Sequence, residues 1–206
     1  MYTFRKRLQK LDPALSIMKR STINQAIKQA SNCFEKHHWS LPPSPLWDVT
    51  DFGLGKFEKF GLVLINLAEE AEYCEKLMFA FKNQVTPYHA HKQKKEDIIV
   101  RNGRLALLLS EGNPETVEAG VPFQVKINGK LITAHNGEMI ILEGGERITL
   151  TPGIYHEFFP LSNECIIGEV STANDDVNDN YFVNEEIGRF SEIEEDEEPL
   201  VTLVSD

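Results

Sequence analysis

Three histidines and one glutamate have the types and spacing of metal ligands. His89 and His91 are two positions apart, so in an extended strand both side chains point to the same face. Glu96 follows a short polar stretch, where the chain can turn and begin a new strand, and His156 comes from a distant strand. Three imidazoles and one carboxylate form a ligand set for a divalent transition metal, so these residues predict a metal site.

The same segments resemble the two sequence motifs of the cupin superfamily. The first motif reads His-x-His, Glu after three or four residues, and Gly after six more, and here Glu96 is followed by Gly103. The second motif departs from the usual pattern, because Pro152 and Gly153 are adjacent and Pro160 replaces an asparagine. We interpret this departure as a subfamily feature. The resemblance implies a mainly β fold, a cupin double-stranded β-helix or jelly-roll barrel, with an N-terminal helix.

Much of the chain is also similar to the D-lyxose isomerases, a family of small bacterial cupin-type ketol-isomerases. The matching stretches are residues 18–21, 47–53, 73–76, 85–98, 152–156, 168–171, 174–176 and 179–180. The resemblance implies a metal-dependent enzyme that interconverts D-lyxose and D-xylulose. D-Mannose repeats the C2, C3 and C4 configuration of D-lyxose, so slower conversion of D-mannose to D-fructose is also expected. The resemblance also implies manganese as the metal, although Fe²⁺, Co²⁺, Ni²⁺ or Zn²⁺ also suits a shell of nitrogen and oxygen ligands.

Such an isomerase needs a base for the C2 proton and an acid that returns a proton to C1. Glu169 is the first candidate, because it ends an apolar strand where an ionisable side chain is out of place unless it faces a polar pocket. Lys94 and Lys76 are candidates for holding sugar oxygens, and Asp176 is a further catalytic candidate.

Two other functions are compatible with the metal motif. A cupin dioxygenase with an aromatic substrate needs an apolar pocket, whereas polar residues, Glu157 among them, are expected around these ligands. A non-catalytic sugar-binding cupin keeps the ligands but needs no proton-transferring residue.

Composition limits the other classes of function. The chain has 206 residues, 41% hydrophobic and 26% charged, which suits one globular domain. A net charge of -11 argues against nucleic acid or an anionic membrane as partner. Three separated cysteines indicate neither a disulfide framework nor a thiolate zinc site. The few cysteines fit a reducing cytoplasm. The family resemblance implies an enzyme with a small sugar substrate, and analogy with cupins implies a homodimer. His37, His38 and His135 are expected at the surface or satisfied in the core.

The chain divides into a basic extension over residues 1–17 and a single cupin domain over 18–206. Residues 18–38 have helical periodicity, with Ser21 or Thr22 as a cap, and 47–206 form the barrel and a C-terminal segment. Four turn signals predict hairpins: Asn102-Gly103, Asn128-Gly129, Asn136-Gly137 and Gly144-Gly145. The acidic run at 192–198 is expected to be solvated, with residues 200–204 packing back on the domain.

Overall fold

The computed structural model describes residues 17–172, 175, 178–188 and 191–206. Most of its elements are short strands. In chain order they are β1 (Ile17–Lys19), α1 (Arg20–Lys36), β2 (Trp47–Thr50), α2 (Phe57–Phe60), β3 (Leu62–Glu69), β4 (Tyr73–Phe81), β5 (Thr86–His91), β6 (Glu96–Asn102), β7 (Arg104–Glu111), β8 (Pro122–Ile127), β9 (Lys130–His135), β10 (Glu138–Glu143), β11 (Arg147–Leu150), β12 (Ile154–Pro160), β13 (Glu164–Thr172), β14 (Asn180–Phe182) and β15 (Glu192–Glu194).

Two antiparallel sheets form the body of the protein. The eight-stranded sheet has the order β2-β3-β4-β13-β6-β11-β8-β9, and the five-stranded sheet has the order β10-β7-β12-β5-β14. Strands β1 and β15 form a separate parallel pair. The protein is mainly β with an N-terminal helix, as the sequence predicts. Within the described residues, no helix is long and apolar enough to cross a bilayer.

Strands β3 and β4 of the eight-stranded sheet are covered on both faces. In β3 and β4, alternate residues such as Leu62 and Met78 point into a core shared with the five-stranded sheet. The intervening residues, such as Val63 and Phe79, pack against the apolar stripe of α1. A side chain at an even-numbered position of β4 therefore points between the two sheets, and this is the side of the sheet that carries the polar site.

Only one of the four predicted hairpin turns joins paired strands. Asn128-Gly129, with positive φ at both residues, links β8 to its neighbour β9. The predictions at Asn102-Gly103, Asn136-Gly137 and Gly144-Gly145 are wrong, because the strands on either side of each turn belong to different sheets. Each of these turns reverses the chain and leads it from one sheet to the other. The same residue types allow this reversal and a hairpin.

The start of α1 is capped from the other end of the chain. The helix begins at Arg20 after Lys19, without a capping bond from its own side chains, so the prediction of Ser21 or Thr22 as cap is wrong. Instead the backbone N–H and hydroxyl of Ser21 donate to the carboxylate of Asp196, at 2.8 and 2.7 Å. The acidic run is exposed to solvent, as expected, but it also binds the first turns of the helix.

The end of the chain packs back on the domain, as predicted. Val201 and Leu203 contact the core beneath α1, and Leu203 forms a parallel β-bridge with Trp47. The division between an extension at 1–17 and a domain at 18–206 remains a prediction, because residues 1–16 lie outside the described part of the chain.

Candidate functional site

Strand pairing brings the three predicted histidine ligands to one place. His89 and His91 lie on β5, which pairs with β12, and His156 is the direct cross-strand partner of His89. Directly opposed residues of an antiparallel pair have side chains on the same face. Glu96 is the first residue of β6 in the other sheet, so the carboxylate approaches the imidazoles from across the sandwich.

The four side chains converge in a buried group. Their candidate ligand atoms all lie within 4.8 Å of one another. Glu96 Oε1 is 3.0 Å from His156 Nε2, and Glu96 Oε2 is 3.3 Å from His91 Nε2. Three of these atoms, His91 Nε2, His156 Nε2 and Glu96 Oε1, nevertheless have no partner in hydrogen-bond geometry among the described residues. Because buried polar atoms rarely stay unpaired, this group of lone pairs fits a divalent metal ion.

Backbone carbonyls orient two of the imidazoles toward that shared point. His89 Nδ1 is 2.8 Å from the carbonyl oxygen of Pro87, and His156 Nδ1 is 3.2 Å from that of Ile154. A carbonyl oxygen only accepts, so each Nδ1 carries the proton and each Nε2 keeps a lone pair. Burial, with His156 and His91 close by, lowers the pKa of His89 well below its ordinary value, which keeps this imidazole neutral.

A charged network adjoins the ligand group. Lys94 Nζ lies 3.0 Å from Glu96 Oε2 and 3.0 Å from Glu169 Oε1, and Lys76 Nζ lies 3.8 Å from the same oxygen of Glu169. Burial opposes ionisation of Glu96, but the Lys94 ammonium outweighs it and holds the pKa of Glu96 well below its usual range. The carboxylate therefore stays ionised and available as a ligand.

The ligands and the charged network line one cavity of about 320 Å³. The three histidines, Lys76, Lys94, Glu96 and Glu169 form one part of its wall. Apolar side chains enclose much of the rest: Phe52, Leu62, Leu64, Met78, Ile98, Phe158, Phe182 and Ile187. The volume is at the low end of the range of ligand pockets, about 300–1,000 Å³, so the cavity suits one small molecule.

The structure places the predicted residues as follows. His89, His91, Glu96, His156, Glu169, Lys94 and Lys76 come together at the cavity wall. Glu157 does not line the cavity, because it alternates with His156 along β12, and Asp176 lies outside the described residues. His38 and His135 are exposed and His37 is partly exposed, as expected.

Sequence reasoning missed four polar residues of the cavity wall: Asp48, Thr50, Thr86 and Asn180. Asp48 and Thr50 lie on β2, which was not predicted as a strand. Its alternation was a usable signal, since Trp47 and Val49 pack on the side of α1 while the two polar residues point the other way.

Comparison with known proteins identifies relatives over nearly the whole chain. A sequence profile described as D-lyxose isomerase matches residues 45–206. The D-lyxose/D-mannose isomerase of Serratia proteamaculans is 36% identical, over 88% of this chain and 94% of that protein. The D-lyxose/D-mannose isomerase of Escherichia coli O157:H7 is 33% identical, over 92% of this chain and 98% of that protein.

A solved structure shares the fold at lower sequence identity. The L-ribose isomerase of Cellulomonas parahominis superposes with a TM-score of 0.64 at 16% identity, covering 87% of this chain and 99% of that one. The predicted cupin fold is thereby confirmed.

Proposed function

The chain belongs to the D-lyxose isomerase family and is a sugar ketol-isomerase, and we propose that it interconverts D-lyxose with D-xylulose and, more slowly, D-mannose with D-fructose. The main support is the buried His3Glu group with Lys94 and Glu169 beside it on the wall of one small cavity. The polar wall and the family both count against an oxygenase that acts on an apolar aromatic substrate.

His89, His91, Glu96 and His156 would hold a divalent metal, and we propose Mn²⁺, with Fe²⁺, Co²⁺, Ni²⁺ and Zn²⁺ as alternatives that a mixed nitrogen and oxygen shell accepts. When bound, the metal supplies Lewis acidity to two neighbouring sugar oxygens. Burial of all four ligands favours this role, because it limits competition from water.

Glu169 is proposed as the group that moves the proton between the two carbons. It would accept the C2 proton and return it to C1, while Oε1 remains hydrogen-bonded to Lys94 Nζ. The second proton of the isomerisation would pass from the O2 hydroxyl to O1. The ammonium groups of Lys94 and Lys76 both approach Glu169. Each can therefore stabilise the negative charge that develops on O1 and O2 of the enediolate intermediate.

Asp176 is retained as a further catalytic candidate on the resemblance alone.

We also propose a homodimer in the cytoplasm. All three cysteines, Cys33, Cys74 and Cys165, are buried free thiols, which suits a reducing compartment. Leu131 on β9 and Met139 on β10 leave apolar side chains exposed, which suits a subunit contact. Light scattering on the purified protein tests the dimer, and a monomer at micromolar concentration would contradict it.

A panel of four aldoses tests the substrate proposal. D-Mannose repeats the C2, C3 and C4 configuration of D-lyxose, whereas D-xylose and D-glucose are inverted at C2 and present its proton to the wrong face for one fixed base. We expect ketose formation with Mn²⁺ to be fastest from D-lyxose, slower from D-mannose and much slower from the other two. D-Xylose reacting as fast as D-lyxose would contradict the assignment, and no turnover of any aldose would favour a sugar-binding protein.

Substitution separates metal binding from proton transfer. Glu169→Gln should keep its metal and lose at least about 100-fold in kcat, because an amide cannot accept the C2 proton. Glu164→Gln, on the same strand but outside the cavity wall, is the matched control. Activity of Glu169→Gln close to that of the control would exclude Glu169 as the base.

A second pair of variants tests the ligands. His156→Ala should lower metal content and activity together, while the exposed His135→Ala should change neither. Activity that survives complete chelation of the parent protein would contradict the proposed metal dependence.

A further inference from the structure

The buried residue Asp179 accepts hydrogen bonds from the backbone of the loop that joins β5 and β6. Three successive amides of this loop donate to Asp179: Lys92 N to its carbonyl oxygen at 3.2 Å, Gln93 N to Oδ1 at 2.8 Å and Lys94 N to Oδ2 at 2.9 Å. Asp179 is 7% exposed, so these bonds form away from bulk water. The side chain thus fixes a segment distant from it in sequence.

This loop carries the residue that connects the ligand group with Glu169. Residues 92–95 run from His91, the last residue of β5, to Glu96, the first residue of β6. Within them Lys94 reaches Glu96 and Glu169, each at 3.0 Å. Because its own N–H is bonded to Asp179, the position of the Lys94 ammonium depends on that carboxylate.

Asp179 also stands where His91 needs an acceptor. His89 and His156 each have a backbone carbonyl at Nδ1, whereas His91 Nδ1 is buried without a hydrogen bond. The Oδ2 atom of Asp179 lies 4.0 Å from this nitrogen, too far for a hydrogen bond but close enough for a small ring movement to form one. Histidine ligands commonly donate their second N–H to a carboxylate, which fixes the ring and makes it a better ligand.

We propose that Asp179 is a positioning residue of the site: its carboxylate orients His91 as a ligand through Nε2 and fixes the loop that carries Lys94. The role in turnover rests on the proposed function, whereas the role in metal binding does not. A residue that only stabilised the loop would affect folding but would leave the metal affinity of the folded protein unchanged.

Asp179→Asn tests the proposal, because the amide keeps one acceptor oxygen but replaces the other with a donor and removes the charge. Asp175→Asn, an exposed carboxylate of the same segment, is the control. We expect Mn²⁺ affinity of the metal-stripped protein, measured by competition with a chelating dye, to fall about 10–100-fold in Asp179→Asn only. At saturating Mn²⁺, its kcat for D-lyxose should also fall about tenfold with less change in KM. Mn²⁺ affinity within about threefold of the control would overturn the proposal.

A measurement on the parent protein covers the case in which Asp179→Asn does not fold. Nitrogen-15 spectra of the Zn²⁺-loaded parent should show His91 protonated at Nδ1, with a proton slow to exchange. Metal on Nδ1, or a fast-exchanging proton there, would overturn the proposal. If the parent turned over no aldose, the proposed function would fail while both metal measurements still decided the role of Asp179.

Discussion

Lys94 offers the sharpest test of how the site is held together, because its ammonium lies between two buried carboxylates. Its side chain is 4% exposed, and those of Glu96 and Glu169 are 2% and 8% exposed. Burial opposes the charge on Lys94, but Glu96 and Glu169 outweigh it and raise the pKa of Lys94 above its ordinary value. With Lys76 nearby, the charges of the two lysines and the two glutamates cancel.

Lys94→Met keeps most of the side-chain volume and removes the charge. Removing one partner of a buried ion pair leaves the other uncompensated, which costs about 3–5 kcal/mol. We therefore expect the free energy of unfolding of the metal-free protein to fall by about that amount at neutral pH. An ammonium 3.0 Å from Glu96 Oε2 also competes with a metal for that ligand, so the variant should bind Mn²⁺ more tightly than the parent while losing turnover.

The effect has a defined pH dependence. Because the pKa of Glu96 is lowered in the folded parent, its stabilising contribution is present above the unfolded pKa, about 4.3, and is lost as the pH falls through the folded value. Without Lys94 the folded pKa of Glu96 should rise. The difference in stability between parent and variant should therefore be largest near neutral pH and smaller below pH ~4.

Urea unfolding of chelator-treated protein, followed by tryptophan fluorescence, measures these quantities. Lys95→Met is the matched control, since Lys95 is exposed in the same loop. Metal-free Lys94→Met that unfolded within about 1 kcal/mol of this control would refute the view that Lys94 compensates two buried carboxylates. Weaker Mn²⁺ binding in the variant would refute the competition between ammonium and metal.

Three further predictions concern the rest of the fold. Burial raises the pKa of Cys33 and Cys74 to about 11 and that of Cys165 to about 12, so none should react with Ellman's reagent at pH 8 until the protein is denatured. Gly61→Ala would place a Cβ 2.4 Å from the Phe57 carbonyl oxygen, and chemical unfolding should show a loss of about 1–3 kcal/mol that Gly144→Ala, which has space, does not show. The Ser21 hydroxyl and amide hold the pKa of Asp196 below its usual value, so this cap is complete above pH ~3.9 and is lost as the pH falls through the lowered value. The amide shift of Ser21 in NMR spectra should report that transition, and a midpoint above pH ~3.9 would contradict it.

The sequence was sufficient to predict the chemistry of the ligands and the N-terminal helix. Two histidines at a spacing of two must share a face of a strand, and the structure has both on β5. The helical periodicity of residues 18–38 likewise predicted the N-terminal helix, which the structure has at Arg20–Lys36. These predictions succeed because they depend only on backbone periodicity, which neighbouring residues determine.

Features that depend on long-range pairing were not predictable in the same way. An Asn-Gly pair indicates a reversal, but only the pairing of whole strands decides whether the next strand joins the same sheet, as after Asn128, or the opposite one, as after Asn136. Likewise Asp179 carries no local signal, because its partners Gln93 and Lys94 are far away in sequence. The acidic run gave a misleading signal, since exposure does not prevent Asp196 from capping α1.

The site is divided between the two sheets, and this division explains why its buried carboxylates need neighbouring cations. The five-stranded sheet contributes the histidines, and the eight-stranded sheet contributes Glu96, Glu169 and Lys76. Carboxylates buried on one sheet would repel each other unless cations approached from nearby, and Lys94 meets this need from the loop that joins the sheets. The distance between imidazoles and carboxylate therefore depends on sheet packing, and α1 supports that packing by filling the outer face of β3 and β4. The apolar packing of α1, far from the cavity, and the charge balance within the cavity therefore both affect the distance between the imidazoles and the Glu96 carboxylate.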